Sequence, residues 1–350
     1  RKRVSMGEDT PRQLLAAHWG LIGTASPGLY DLTTHASVLA PSYDLAQCLL
    51  ARHEVCSSVS SLRKITNRVA DVCQSYGEAS LLLEEGESLA GKRVAISTDG
   101  GRSRMREANG KQNSNGRDTF DTPWREPKLF VIEVIDEEGR LSQHHLPIYG
   151  CRFSDEDHLQ LLKEYLVLLE IDKAKEVQLV ADGAPWIWNR VPEMLLELGV
   201  DKSRLTETLD HYHALQHLHK LFDGLPAKIG KHKRRKYWKR CCDWLWEGKS
   251  AWIIRLFQRL FKRIPARVTT ELNYFRKHLE RTKYADFQHR RLFCGSGLIE
   301  SAVRRVINLR FKNTSTFWLP EIIEKLYFLR GAALSKRWNL VVANLANRHL

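Results

Sequence analysis

The stretch that most constrains the fold runs from Val177 to His213 and contains two short strand-like stretches around a helical segment, Trp186–Leu198. The first, which is mostly apolar, favours a buried strand, and the pattern as a whole is interpreted as strand, helix, strand. An acidic residue ends each strand, Asp182 and Asp210. Because loops at the carboxyl ends of strands in α/β proteins open into a crevice, this pattern predicts a functional site at that edge. The two predicted strands are Val177–Ala181 and Arg204–Leu209.

Segments upstream extend this pattern into a mixed sheet. Lys92–Asp99 (KRVAISTD) predicts a strand that ends in Asp99, and the polar stretch Arg102–Glu126 predicts a long loop. A β-hairpin follows, with its turn at Glu137–Arg140, and then an amphipathic helix capped by Ser154. Strand, hairpin, helix, strand, helix, strand is the layout of the ribonuclease H-like fold, an α/β class with a mixed sheet flanked by helices. The hairpin strands are predicted at Lys128–Asp136 and Leu141–Tyr149, and the helix at Asp155–Glu170.

Both ends of the chain are predicted to be helical. Within Ser26–Gly86, a short helix at Leu45–Arg52 precedes a second helix whose N-cap is Ser60. This pair resembles a helix-turn-helix, although an ordinary helical bundle fits the same pattern. Two helices close the chain, at Leu298–Arg310 and Leu319–Ser335. The predicted organisation is an N-terminal helical, DNA-binding-like domain (1–90), a first part of the α/β core (91–210), a basic all-helical insertion (211–291), and C-terminal helices that complete the core (292–350).

The positive charge of the chain is concentrated in one block. The formal net charge is +14; between His211 and Arg290, 20 Lys/Arg face 6 Asp/Glu, whereas the rest of the chain holds 35 of each sign. Such concentration favours a polyanionic partner over a mere solubility device. Most aromatic side chains of this block are expected inside a helical bundle rather than on its surface. They are Trp238, Trp244, Trp246, Trp252, Phe257 and Phe261.

Composition narrows the class of protein further. No apolar run approaches the roughly 20 residues of a membrane-spanning helix, so no membrane is expected. The sequence starts without Met or an apolar signal core, so we expect a trimmed chain that has lost an upstream segment. The seven cysteines are scattered and form no C-x-x-C pair, which favours a reducing cytosol over a disulfide scaffold.

Two strand-end carboxylates suggest a metal site. In the predicted sheet the strands ending in Asp99 and Asp182 lie side by side, so the two carboxylates approach each other. Like charges that close are unfavourable unless a cation neutralises them, and oxygen-only ligands suit Mg²⁺ or Mn²⁺. Gly100 and Gly183 follow the two aspartates, and we expect them to let a phosphodiester approach the backbone.

Glu300, on the predicted helix Leu298–Arg310, is the candidate third ligand. It lies at the edge of a core-facing stripe and would aim at the two aspartates if the helix packed on the sheet. Taken alone, Glu300 is better explained as a first-turn acid that complements the helix dipole. Asp210 has a similar alternative, as the cap of the following helix. His213 and His217 have zinc-like spacing, but no cysteine falls at a plausible spacing from them.

Four motifs in order carry a resemblance to a known family. They are STDGGRSRMR around Asp99, LVADGAPWIWN around Asp182, LDHYHALQHL from Leu209, and GSGLIESAVRRVINLRFK around Glu300. Together they resemble the DDE insertion-sequence transposases related to the Mutator-like group. The resemblance covers Ser26 to Trp338, although NTSTFW after Lys312 replaces a glycine-containing turn of the family.

This resemblance implies a reaction and a set of site residues. Asp99, Asp182 and Glu300 would bind two Mg²⁺ or Mn²⁺ ions, with Asp210 and His213 near the site. The implied activity is metal-dependent cleavage and strand transfer at transposon ends. Residues expected to hold DNA phosphates are Arg102, Arg104, Lys231, Lys233, Arg234, Arg235, Lys236, Arg304, Arg305 and Lys312.

The implied partner is double-stranded DNA, both the terminal repeats and the target. We also expect a homo-oligomer on DNA and a cytoplasmic, nucleoid-associated location in a bacterial-type cell. Two alternatives stay open. One is a ribonuclease H-like nuclease or resolvase that cuts without joining. The other is a transposase-derived DNA-binding protein that has lost its chemistry.

Overall fold

A mixed five-stranded sheet lies at the centre of the protein. The strands are β1 (Arg93–Gly100), β2 (Lys128–Ile135), β3 (Ile148–Arg152), β4 (Glu176–Ala181) and β5 (Leu205–Leu209). The computed structural model describes residues 20–22, 25–312 and 316–349. The strand order is β3-β2-β1-β4-β5; β1 to β3 are antiparallel neighbours, and β4 and β5 run parallel to β1.

Apolar residues account for the position of this sheet. Six consecutive residues of β1 are buried, as expected for a strand covered on both faces. The predicted neighbourhood of β1 and β4 is confirmed, with Arg93 opposite Glu176 and Ser97 opposite Val180. The mixed α/β class is therefore confirmed, and the carboxyl ends of two neighbouring parallel strands meet at one edge.

The second hairpin strand was predicted too early. Only Leu141 bridges back to Ile135, and regular pairing begins at Ile148. The carbonyls of Leu146 and Pro147 accept hydrogen bonds from Arg337 at 2.7 and 3.2 Å. A side chain from the far end of the chain therefore takes the carbonyls that a longer hairpin would use in its ladder.

The prediction of a long loop over Arg102–Glu126 is wrong. The segment forms two short antiparallel pairs instead of an irregular loop. The side-chain oxygen of Asn113 accepts from the N–H groups of Asn115 and Arg117, which closes the tip, and Gly116 adopts φ 72° there. The pairs are Ser103–Arg104 with Trp124–Arg125, and Glu107–Gln112 with Asp118–Asp121.

Helices cover the sheet and form both ends of the described chain. They are α1 (Pro27–Leu39), α2 (Tyr43–Ala51), α3 (Val59–Tyr76), α4 (Glu78–Leu82), α5 (Asp155–Leu168), α6 (Pro185–Trp188), α7 (Val191–Glu197), α8 (His211–Asp223), α9 (Lys231–Trp246), α10 (Ser250–Leu260), α11 (Ala266–Lys277), α12 (Tyr284–His289), α13 (Gly297–Ala302), α14 (Pro320–Leu334) and α15 (Trp338–His349). Short 3₁₀ turns follow α5 and α11, at Ile171–Lys173 and Glu280–Thr282.

Several helix boundaries differ from the prediction. Helix α3 is capped by Ser58, whose hydroxyl accepts from the N–H of Ser61, and not by Ser60. The single helix predicted over Trp186–Leu198 is two helices, because Pro192 occupies the first turn of α7 and lacks the N–H that a continuous helix would need. The cap of α5 by Ser154 is confirmed.

The C-terminal part contains one helix more than predicted. Helix α13 continues through a π-helical segment, Val303–Asn308, and a last turn, Leu309–Phe311. After α14, the chain forms α15, which the sequence interpretation missed. Residues 313–315 of the NTSTFW motif lie outside the described residues, as do 1–19 and 23–24 of the predicted N-terminal domain. Within the described part of the chain, no helix is long and apolar enough to cross a membrane.

The segment predicted as an all-helical insertion contains helices α8 to α12. The expectation for its aromatic side chains holds only in part. Phe257 is fully buried, whereas Trp246 and Trp252 are 38% and 47% exposed. Of the six aromatic side chains named for this block, two are therefore exposed to solvent.

Candidate active site

Two carboxylates occupy neighbouring strand ends. Asp99 is the penultimate residue of β1, and its side chain accepts a hydrogen bond from the Gly100 N–H at 2.7 Å. Asp182 follows directly after β4, and its side chain accepts from the Ala184 N–H at 2.8 Å. Local backbone donors thus fix both carboxylates at the same edge of the sheet.

The electrostatics show that the two aspartates interact. The pKa of Asp99 is raised to about 6: burial is the main cause, the Gly100 N–H lowers the pKa, and the charge of Asp182 adds to the rise. The positive charge of a protonated His213 opposes the rise, and Glu126 adds to it. A nearby cation would favour the charged form of Asp99 against both burial and the negative charge of Asp182.

Asp210 and His213 form a hydrogen-bonded pair beside these carboxylates. Asp210 is buried at the N-cap of α8 and accepts from the His213 backbone N–H at 3.0 Å and its ring Nδ1 at 2.7 Å. Burial raises the pKa of Asp210, but hydrogen bonds from His213 and Ser296 outweigh it, so the pKa is lowered. The side chain is therefore ionised at neutral pH.

The hydrogen bond between Asp210 and His213 also affects the pKa and the orientation of His213. The hydrogen bond to Asp210 raises the pKa of His213, and the charges of Asp182 and Asp99 raise it as well. With Nδ1 committed to Asp210, the other ring nitrogen, Nε2, is the one left to exchange protons. A buried carboxylate that orients a half-exposed imidazole next to two acids is suited to proton transfer.

Glu300 lies in the first turn of α13 with an exposed side chain. Its carboxylate accepts a hydrogen bond from the Ser296 hydroxyl at 3.2 Å, while the Ser296 N–H donates to Asp210 at 3.0 Å. Glu300 is thus linked to the Asp210 pair through one serine. Among the described residues, no group of three or more His, Cys, Asp or Glu side chains is arranged to hold a metal ion.

Protein side chains lie close to both glycines. A Cβ on Gly100 would lie 2.3 Å from a carboxylate oxygen of Glu126, and one on Gly183 would lie 2.5 Å from the ring of Tyr274. Both glycines therefore give room to protein side chains.

Glu126 and Tyr274 are site residues that sequence reasoning missed. The hydroxyl of Tyr274 is buried and finds no hydrogen-bond partner among the described residues. Burial raises the pKa of this hydroxyl, and the charges of Asp182, Asp210 and Glu271 raise it further. Tyr274 stacks on His217, with ring centres 3.5 Å apart, and the Nδ1 atom of His217 pairs with Glu271 at 2.6 Å. No sequence motif connects α11 to the strand ends.

The predicted phosphate-binding side chains differ in their surroundings. Arg234 donates to the backbone carbonyls of Ile229, Leu225 and Pro226 at 3.0 to 3.1 Å, so its guanidinium holds the start of α9 together. Arg104 donates to the Thr122 carbonyl at 3.2 Å. Exposed side chains among the predicted set are Arg102, Lys231, Lys233, Arg235, Lys236, Arg304, Arg305 and Lys312.

Replacing Asp99 with Asn is expected to stabilise the metal-free protein at pH 7. A carboxyl whose pKa is raised on folding favours the folded state below its unfolded pKa, near 4, and loses that contribution as pH rises through about 6. Removing the charge should raise the free energy of unfolding by on the order of 1 to 2 kcal/mol. Urea denaturation at pH 5 and pH 7 in EDTA measures this.

The matched control for this stability prediction is Asp172→Asn, which changes an exposed aspartate. The control should leave the denaturation midpoint unchanged at both pH values. Equal stability of Asp99→Asn and the wild-type protein at pH 7 would contradict the raised pKa.

Comparison with known proteins gives little further guidance. No family model matches the chain, and no curated protein matches it. Among solved structures, the chain is similar to one described as the Drosophila P element transposase strand transfer complex, at 14% identity and a TM-score of 0.33. The match covers 93% of this chain and 82% of the other. A likeness of this size identifies neither fold nor activity.

Proposed function

We propose that this protein is a DDE transposase with a ribonuclease H-like core, which cleaves DNA at transposon ends and transfers the strand to a target. The observation that carries the proposal is the Asp99–Asp182 pair at adjacent ends of parallel strands. The strand order β3-β2-β1-β4-β5, with three antiparallel and two parallel members, supports the ribonuclease H-like interpretation. Two of the four sequence motifs that resemble the Mutator-like group, those of Asp210 and Glu300, are also linked through hydrogen bonds of Ser296.

The two strand-end carboxylates suit divalent cations. Asp99 and Asp182 offer carboxylate oxygens, which Mg²⁺ and Mn²⁺ prefer, and their mutual repulsion is relieved by positive charge. We propose that these two hold the ions and that Glu300 joins them as third ligand. Two bound ions would supply a lowered pKa for the attacking water or 3′-hydroxyl and charge stabilisation for the leaving oxygen.

The remaining side chains act on protons and phosphates. The Asp210–His213 pair is placed to take up or return a proton at Nε2. Exposed Arg102 and Arg304 flank the carboxylates in sequence and suit DNA phosphates, as do the cations of α9. The proposed DNA partners are the terminal repeats and the target, with the protein acting as a homo-oligomer in the nucleoid of a bacterial-type cell.

The direct test is a cleavage assay on DNA that carries the sequences flanking the gene. The expected result is strand cleavage with Mg²⁺ or Mn²⁺ and none with EDTA. Pre-cleaved ends should then join to a target plasmid, which separates a transposase from a nuclease or resolvase. Metal-indifferent binding without cleavage would instead favour a transposase-derived DNA-binding protein and refute the proposal.

Glu300→Gln is expected to reduce metal-dependent cleavage by at least about a hundredfold. Gln keeps the length of Glu and still accepts the hydrogen bond from Ser296, so a helix-terminal role would survive the change. A metal-binding role would not survive, because the charge is lost. Cleavage rates at saturating Mg²⁺ measure the effect, and Glu193→Gln, in the first turn of α7, is the matched control.

Wild-type cleavage by Glu300→Gln, together with an unchanged Mg²⁺ requirement, would remove Glu300 from the proposed metal site. Asp99 and Asp182 would then remain as its only proposed members.

A further inference from the structure

A groove of about 810 Å³ lies between helices α9 and α10. One wall is a single face of α9, where lining residues recur at helical spacing, and the other includes Lys249 and Trp252. From His232 to Trp244 this face of α9 spans roughly 18 Å. The α9 residues that line the groove are His232, Arg235, Lys236, Lys239, Arg240, Asp243 and Trp244.

The groove is strongly positive. Four of its cations lie together on α9: Arg235, Lys236, Lys239 and Arg240. The acidic residues are fewer, Asp243 and Glu247, and Glu247 already pairs with Lys249 at 2.7 Å. The excess of positive charge over one continuous surface fits a chain of phosphates.

Two tryptophans add an aromatic surface to the positively charged groove. Trp244 and Trp252 pack edge to face, with ring centres 5.5 Å apart. The Arg240 guanidinium lies 5.0 Å from the Trp244 ring centre, and the Lys249 ammonium lies 5.9 Å from that of Trp252. Trp252 is nevertheless 47% exposed. An indole held in place but open to solvent inside a cationic groove is a stacking surface for a flat, electron-rich ring.

We propose that this groove binds a single-stranded segment of DNA, with one unpaired base stacked on Trp252 and the adjoining phosphates paired with Arg235, Lys239 and Arg240. Duplex DNA offers phosphates but not base faces, because its bases stack on one another. The combination of cations and an open indole therefore fits an unpaired strand better than a duplex. The inference rests on the proposed function, since cleavage at a transposon end is what exposes such a strand.

The test compares two probes on the full-length protein: a fluorescein-labelled single-stranded oligo-dT about ten nucleotides long, and the same oligonucleotide with abasic sites replacing the bases. Fluorescence anisotropy should show that the wild-type protein binds the intact oligonucleotide about tenfold more tightly than the abasic one. Trp252→Ala should bind both probes equally and weakly, whereas Trp252→Tyr should keep most of the difference.

A charge control completes the design. Lys239→Ala should weaken binding of both probes alike and reduce the dependence of affinity on salt by about one counterion. Lys202→Ala, which changes an exposed lysine outside the groove, should leave the affinity for both probes and its salt dependence unchanged. Equal affinity of the wild-type protein for the intact and abasic probes overturns the inference. So does a preference for intact DNA that survives in Trp252→Ala.

The outcomes separate this inference from the proposed function. Base-dependent binding without metal-dependent cleavage would reject the transposase and keep the groove as a single-strand site. If the protein cleaves DNA but Trp252→Ala still prefers the intact probe over the abasic one as the wild-type protein does, the transposase proposal stands and the single-strand site is rejected.

Discussion

Asp182→Asn is expected to abolish metal-dependent DNA cleavage, with a loss of at least about a thousandfold. Asn has the same shape as Asp, and its side-chain oxygen still accepts the hydrogen bond from the Ala184 N–H. The fold at the end of β4 should therefore survive. The substitution removes the negative charge of Asp182, which is proposed to hold the cations together with the charge of Asp99.

A second readout for Asp182→Asn does not depend on DNA. Because the charge of Asp182 raises the pKa of Asp99, its removal should lower the pKa of Asp99 from about 6 toward the usual value of an aspartate. Carboxyl NMR titration of the metal-free protein measures this shift. Asp172→Asn, at an exposed site, should leave both cleavage and titration as in the wild-type protein. Normal cleavage by Asp182→Asn would remove Asp182 from the proposed catalytic residues. An unchanged pKa of Asp99 in this variant would mean that the two aspartates do not interact.

The central sheet and the paired aspartates were predictable because their signals are local. Each of the two strands has a short apolar run, and an acid at the end of such a strand must lie at an edge of the sheet. The ribonuclease H-like layout, in which the first and fourth strands are neighbours, then brings the two acids to the same edge. Asp99 and Asp182 follow from these two steps, and the register of β1 with β4 agrees.

The rest of the site depends on long-range contacts, which cannot be predicted from the local sequence pattern. Tyr274 reaches Gly183 from α11, and Glu126 covers Gly100 from the end of a segment predicted as an irregular loop. Both depend on how the insertion and the short hairpins fold back on the sheet. Asp210 and Asp182 also look alike in sequence. Only the hydrogen bonds to His213 and Ser296 show that Asp210 orients a histidine and anchors the loop before α13.

Contacts between residues that are distant in sequence also explain why the second hairpin strand was misplaced and the last helix was missed. Both involve Arg337, which lies between α14 and α15 and is almost fully buried. Its guanidinium pairs with both carboxylate oxygens of Glu87, at 2.7 and 2.8 Å. It also donates to the carbonyls of Leu82, Leu146 and Pro147, at 3.1, 2.7 and 3.2 Å. One side chain therefore joins three segments that are far apart in sequence.

Arg337→Met is expected to lower the free energy of unfolding by about 3 to 5 kcal/mol. Met fills much of the same volume but leaves the Glu87 carboxylate and three carbonyls without their donor in a buried place. Burial raises the pKa of Glu87, but the hydrogen bonds from Arg337 outweigh it and lower the pKa. In the wild-type protein the contribution of this pair is therefore present above the ordinary pKa of a glutamate and is lost as pH falls through the lowered value.

Urea denaturation at pH 7 and pH 4 measures the effect of Arg337→Met, which should shrink at the lower pH as Glu87 begins to protonate. Lys325→Met is the matched control, because Lys325 pairs at 2.6 Å with Asp71, which is more than half exposed, and such pairs contribute at most about 1 kcal/mol. A loss in Arg337→Met no larger than in Lys325→Met would mean that water can replace the guanidinium. In that case Arg337 would not be what joins the N-terminal helices, the hairpin and the last helix into one cooperative unit.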